Sequence, residues 1–197
     1  YAAAMSDLST ALRLKPDHAD ALVCRALLYT QMDDFPKALS DLNARVRLEP
    51  REPMVHYSRG LIRSQLERYE QAIDDFNLAL RHEPKHVGTL VARGMAWMAL
   101  KKFDDALADY NQALRLEPNS PEAHYNRGSL HQKRGQYRTA RTDFERALSL
   151  KPDDSTYNNQ LAWLLATCPQ DDVRNGTRAV ERATRACELT EWKDGNL

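Results

Sequence analysis

Pro16, Pro50, Pro84, Pro118 and Pro152 stand 34 residues apart. Proline lacks the N–H that a helix or sheet ladder requires, and its ring clashes with the preceding helical turn. Five prolines in one register therefore set breaks at equal intervals and demand a repeated unit between them. Other side chains keep the same step. Ala26, Gly60, Gly94, Gly128 and Ala162 form a row of small residues. Ala38, Ala72, Ala106 and Ala140 form a second row, and Leu42, Phe76, Tyr110 and Phe144 a bulky third.

Inside each unit the apolar spacing is helical. Leu61, Leu66, Tyr69, Ile73, Phe76 and Leu80 follow i, i+3, i+4 steps, interrupted near Glu67 and Arg68, where a strand would alternate. Each unit reads as two helices of about 12 to 14 residues joined by a short turn. Seven glycines are too few for a chain of many tight hairpins, so the class is all-α. The small row is expected to mark where two helix backbones approach too closely for a larger side chain. The bulky row is expected to fill the space between helices. A lone helix pair cannot cover its apolar face, and stacking on neighbours does so.

Tyr125-Asn126-Arg127-Gly128, Gly135-Gln136-Tyr137, Ala140, Phe144, Ala147-Leu148 and Pro152, with their counterparts in each unit, resemble the tetratricopeptide repeat (TPR) family. The resemblance implies a right-handed α-solenoid of antiparallel helix pairs, a TPR superhelix of about eleven helices, with first helices lining a concave groove. The family's usual first-helix Trp is replaced by Leu22, His56, Leu90 and His124. The expected organisation is a second helix of a truncated repeat over 1–18, with Tyr1 at its turn. Repeats follow over 19–52, 53–86, 87–120 and 121–154, then an atypical one over 155–190 and the start of another over 191–197, around Trp192. Such a layout is that of a fragment of a longer array. In the atypical repeat Arg174 breaks the alanine row, and the register resumes at Ala179 if residues are inserted within 169–176. That insertion reads either as a partner-specific loop or as a tolerated surface extension. Leu161 to Pro169 with Ala186-Cys187-Glu188-Leu189 resembles terminal repeats of large bacterial TPR proteins.

Composition narrows the function. Lys+Arg and Asp+Glu are equal at 28 each, which offers no general attraction to nucleic acid or anionic lipid. The longest apolar run, around Leu161 to Ala166, is far below the ~18 residues of a membrane span. Cys24, Cys168 and Cys187 lie too far apart for a disulfide framework or a CxxC metal knuckle and read as ordinary reduced thiols. There is no GxGxxG, GxxxxGK[ST], GxSxG or HExxH, so no catalytic residue, cofactor or metal is assigned. His82 and His86 have i, i+4 spacing, but Pro84 between them prevents one helix from presenting both. His56 and His124, equivalent in the first helices, read as packed substitutes for an aromatic. The chain shows no signal peptide, which favours a cytoplasmic over a secreted setting.

One charge pattern goes beyond the helical period. Arg25, Arg59, Arg93 and Arg127 each precede a residue of the small row, and Asp7, Asp41, Asp75, Asp109 and Asp143 recur in second helices. The last repeat has Leu161 for the arginine and Arg182 for the aspartate, so both rows stop together. They predict a ladder of Arg–Asp pairs, either within a repeat (Arg25–Asp41) or across a junction (Asp7–Arg25). The alternative is two independently solvated rows.

The resemblance also places the ligand. First-helix residues interleaved with the packing row are Val23, Leu27 and Thr30; Tyr57, Leu61 and Ser64; Val91, Met95 and Met98; Tyr125, Asn126, Ser129 and Gln132; then Asn159 and Trp163. Met and Tyr suit adaptable contacts. The expectation is a non-enzymatic scaffold holding a peptide or helix of a partner protein, of unknown identity. The family's carboxylate clamp of Lys and Asn is not matched: Val23, Leu27, Tyr57 and Leu61 stand in its place, and only Asn126 resembles a clamp amide. The alternatives are an accessory segment of a larger enzyme, such as a kinase or transferase, and self-association through the ends.

Overall fold

A computed structural model describes residues 2–190; Tyr1 and Trp192 lie outside them. Eleven α-helices and no strand occur among the described residues. They are α1 (Ala2–Leu14), α2 (Ala19–Gln31), α3 (Phe35–Leu48), α4 (Pro53–Gln65), α5 (Tyr69–His82), α6 (Val87–Ala99), α7 (Phe103–Leu116), α8 (Pro121–Lys133), α9 (Tyr137–Leu150), α10 (Ser155–Thr167) and α11 (Gly176–Leu189).

The breaks have local causes. The five spaced prolines stand two residues past the ends of α1, α3, α5, α7 and α9. The following helix is started by a side-chain cap: His18 accepts from the Ala21 N–H, His86 from Thr89, Ser120 from Ala123 and Asp154 from Tyr157. These contacts satisfy N–H groups that a helix start leaves orphaned. Between first and second helices the chain reverses through a left-handed residue, Asp33, Glu67, Lys101 or Gly135, with φ of 57°, 58°, 59° and 72°. The four share one register position, and only Gly135 adopts that conformation without steric cost.

The chain divides into two compact units, Tyr1–Lys102 and Phe103–Leu197. In the first, α2 packs on α3 and α4 on α5, while α1 lies against α2, α3 against α4 and α5 against α6. Its core runs from Leu12, Ala21 and Leu22 through Ala26, Ala38, Leu42, Val55 and Ile62 to Ala72, Ile73, Phe76, Ala92 and Ala96. In the second, α8 packs on α9 and α10 on α11, with α7 against α8 and α9 against α10. Phe144, Tyr157, Leu161, Leu164 and Leu165 centre its core.

The small row works differently from the sequence expectation. A Cβ on Gly60 would lie 2.6 Å from the ring of Phe76, and one on Gly128 2.8 Å from the ring of Phe144. The aromatic side chain of the same helix pair, more than the neighbouring backbone, excludes a larger residue. In the first pair the combination is Ala26 with Leu42, both buried, so a methyl group stands opposite a shorter side chain.

Residues 168–175 connect α10 to α11, where 134–136 suffice between α8 and α9. Val173 enters the core beside Cys168, the Asn175 N–H donates to the Leu165 carbonyl at 2.9 Å, and Arg138 pairs with Asp172. The long connection is thus anchored at its middle and both ends.

Candidate protein-binding faces

In the first unit, α2, α4 and α6 carry the predicted face. Leu27 is 55% exposed, Leu61 38% and Met95 52%. Val23, Thr30, Tyr57, Ser64 and Met98 are half-buried. Val91 is buried, at 8% exposure, and so supports the face without presenting its side chain. Tyr57 is held by its surroundings: its ring centroid lies 6.2 Å from that of Phe76 and 5.2 Å, edge-on, from His86. Burial pushes its phenol pKa up.

The second unit presents a more polar face on α8 and α10. Trp163 is 62% exposed and borders a depression with Ser129, Gln132, Lys133, Asn159 and Gln160. Gln160 donates to the Gln132 side-chain carbonyl at 2.7 Å. Tyr125 stacks on Tyr157 at 4.8 Å. Asn126 donates to the Glu122 carbonyl and Ser129 to the Tyr125 carbonyl, so both turn back onto their own helix.

The charged rows meet. Arg25 grips Asp41 through Nε and Nη2, each at 2.7 Å. Arg59 reaches Asp75 at 2.6 Å and Arg127 reaches Asp143 at 2.8 Å. All three pairs lie within one helix pair, and all three aspartates are buried. The hydrogen bond to Asp41 holds the Arg25 guanidinium above its ordinary pKa. Asp75 also receives Arg63 at 2.8 Å, and Asp143 receives His124 at 3.0 Å.

Sequence reasoning missed a third row. Asn43, Asn77 and Asn111 accept from Nη1 of Arg59, Arg93 and Arg127 at 2.9, 2.7 and 2.9 Å. Each of these asparagines lies sixteen residues before its arginine, in the preceding second helix. Arg59 and Arg127 therefore join two successive helix pairs, with a buried carboxylate on one side and an amide on the other. The next position in the row is Glu145, opposite Leu161, and it pairs with Arg178 of α11 at 3.0 Å. His56 and His124 do more than fill space: their Nε2 atoms lie 2.8 and 3.1 Å from the Pro50 and Pro118 carbonyls. His82 ends α5 and His86 caps α6, on separate elements.

No group of three metal-ligating side chains occurs among the described residues. No described helix is long and apolar enough to cross a membrane.

Stacked antiparallel helix pairs, a small residue against a ring, and arginines bridging successive pairs define an α-helical repeat protein. The chain belongs to the tetratricopeptide repeat family, which it matches over residues 26–96 and 92–158. No curated protein sequence matches it significantly. Among solved structures it is similar to TTC0263, a thermophilic TPR protein of Thermus thermophilus, with TM-score 0.76, 18% identity and coverage of 89% of this chain and 93% of that one. It is also similar to MamA 41-end from Desulfovibrio magneticus RS-1 (TM-score 0.72, 21% identity, 90% and 97% covered). A third is YrrB, described as a TPR protein with an unusual peptide-binding site (TM-score 0.65, 19% identity, 94% and 93% covered). The TPR fold generally mediates protein–protein interaction and is typically a non-enzymatic scaffold.

Proposed function

We propose that this chain is a non-enzymatic scaffold whose first-helix faces hold a segment of a partner protein. The observation that carries the reading is a set of exposed large apolar side chains, Leu27, Leu61, Met95 and Trp163, that all stand on first helices. Exposed apolar side chains gathered on one kind of face mark interaction surfaces when they are not scattered singly. The polar groups beside them are mostly amides and hydroxyls, with Lys133 near Trp163, and such groups suit main-chain contacts with a bound segment. Affinity capture with the wild-type chain, Leu61→Asp and Met95→Ala tests this. Partners captured equally by all three remove the faces from the reading.

A second reading concerns α11, where Val180, Ala183, Thr184 and Cys187 line an open apolar depression. Self-association through this face predicts a mass in light scattering that rises with concentration and is reset by Val180→Glu. A constant monomer mass excludes it.

A further inference from the structure

In the pairs built on Gly60 and Gly128, an aromatic ring fills the space above the small residue. In the first helix pair Leu42 replaces that ring, and a cavity of about 100 Å³ remains between α2 and α4. Ala26, Leu42 and Ile62, all buried, form its floor; Val23, Leu27 and Leu61 form its rim. Its two hydroxyls are already used: Thr30 donates to the Ala26 carbonyl and Ser58 to the Met54 carbonyl, each at 2.8 Å. Arg25 and Asp41, each next in sequence to a floor residue, are turned to one another and grip at 2.7 Å. The lining therefore presents no free hydrogen-bond donor and no charged group, only two hydroxyl oxygens at its edge, and a carboxylate, carbonyl or fully charged side chain entering it would go unpaired. Engineered apolar cavities of roughly 150 Å³ accept benzene. The volume here is smaller and opens at its rim, room for one aliphatic side chain.

We infer that this cavity is a specificity pocket that takes one uncharged aliphatic side chain, Leu, Ile or Met, from a bound partner segment. The inference rests on the proposed function, because it needs the first-helix face of this unit to hold such a segment. The missing ring makes the pocket, so the first repeat is the anchor point and its neighbours supply contacts around it. Contacts of this kind, a single side chain in a desolvated pocket ringed by weaker contacts, dominate many interfaces.

The test is a display selection of random peptides against the full chain, with recovered binders measured by fluorescence anisotropy. Two variants fill the pocket by separate routes. Ala26→Gly with Leu42→Phe rebuilds the combination seen at Gly60 and Phe76, and Ser58→Leu fills from α4 without touching α3; circular dichroism melts verify that both fold. The expected result is a set of binders sharing one aliphatic position, each weakened about tenfold or more by either filled variant, as loss of one buried side chain requires. Binders lost on Leu61→Asp but held equally by both filled variants would overturn the pocket and leave the face intact. Binders indifferent to Leu61→Asp, or no binders at all, would overturn both.

Discussion

The Phe76 ring occupies the place where a side chain on Gly60 would begin, 2.6 Å from the Cβ position. Gly60→Ala is therefore expected to cost about 1–3 kcal/mol, because the buried ring cannot leave without moving the core. Adding Phe76→Leu, which reproduces Ala26 with Leu42, should recover part of the loss. Urea titrations of both singles and the double variant would measure this as a favourable coupling energy. Additive losses would show that the contact does not set the residue pair.

Asp143 and Asn111 both bind Arg127, but their losses should differ. Asp143 is buried and also receives His124. Removing it in Asp143→Ala leaves a guanidinium and an imidazole without their acceptor, at a cost of about 3–5 kcal/mol. Asn111→Ala removes one hydrogen bond from a half-buried site, for about 1 kcal/mol. Equal chemical-denaturation midpoints for the two variants would contradict the burial argument.

Tyr110 is fully buried and its hydroxyl has no hydrogen-bond partner. Phe76 and Phe144 hold the equivalent positions in neighbouring repeats. Tyr110→Phe should stabilise the chain by about 1 kcal/mol, since the unpaired hydroxyl carries only a desolvation cost. A lower melting temperature would rule this out.

Burial pushes the phenols of Tyr57, Tyr110, Tyr125 and Tyr157 upward. The sign follows from linkage: the unfolded chain releases these protons first, near pH 10, so the contribution is complete below that pH and lost as pH rises above it. Urea midpoints should hold steady to about pH 9 and fall beyond it, with a shallower fall for Tyr110→Phe. Identical alkaline slopes for wild type and variant would refute the assignment.

Arg45 stands where Ala79, Ala113 and Ala147 stand in the following repeats. It is buried; Nη2 bonds Glu49 at 2.9 Å while Nε and Nη1 find no partner. Arg45→Met keeps much of the volume and removes the charge, and should stabilise by about 1–3 kcal/mol. A clear destabilisation would mean that the guanidinium is better satisfied than its geometry indicates.

Much of this architecture was legible in the 34-residue step. Regular prolines and i, i+3, i+4 spacing locate helices because both act through the local backbone. The rows of Arg and Asp could be seen to share a fate, yet periodicity alone could not choose the register in which they pair. The asparagine row is equally periodic, but the solvent-reaching amides of Asn43, Asn77 and Asn111 give no sign of their partners until the neighbouring helix is placed. Asp33, Glu67 and Lys101 carry no left-handed signature of their own; only Gly135, in the same register, hints at it. Val91 looked like its neighbours on the first-helix face, and its burial depends on tertiary packing that no spacing rule contains.

The sixteen-residue reach of Arg59 and Arg127 in both directions has a consequence for growth by duplication. Each 34-residue module closes its own arginine–aspartate pair but holds only half of two arginine–asparagine bonds, one shared with the module before it and one with the module after. Copying a whole module restores both shared bonds at the new seam with no compensating change, whereas a seam of another length leaves an amide without its guanidinium.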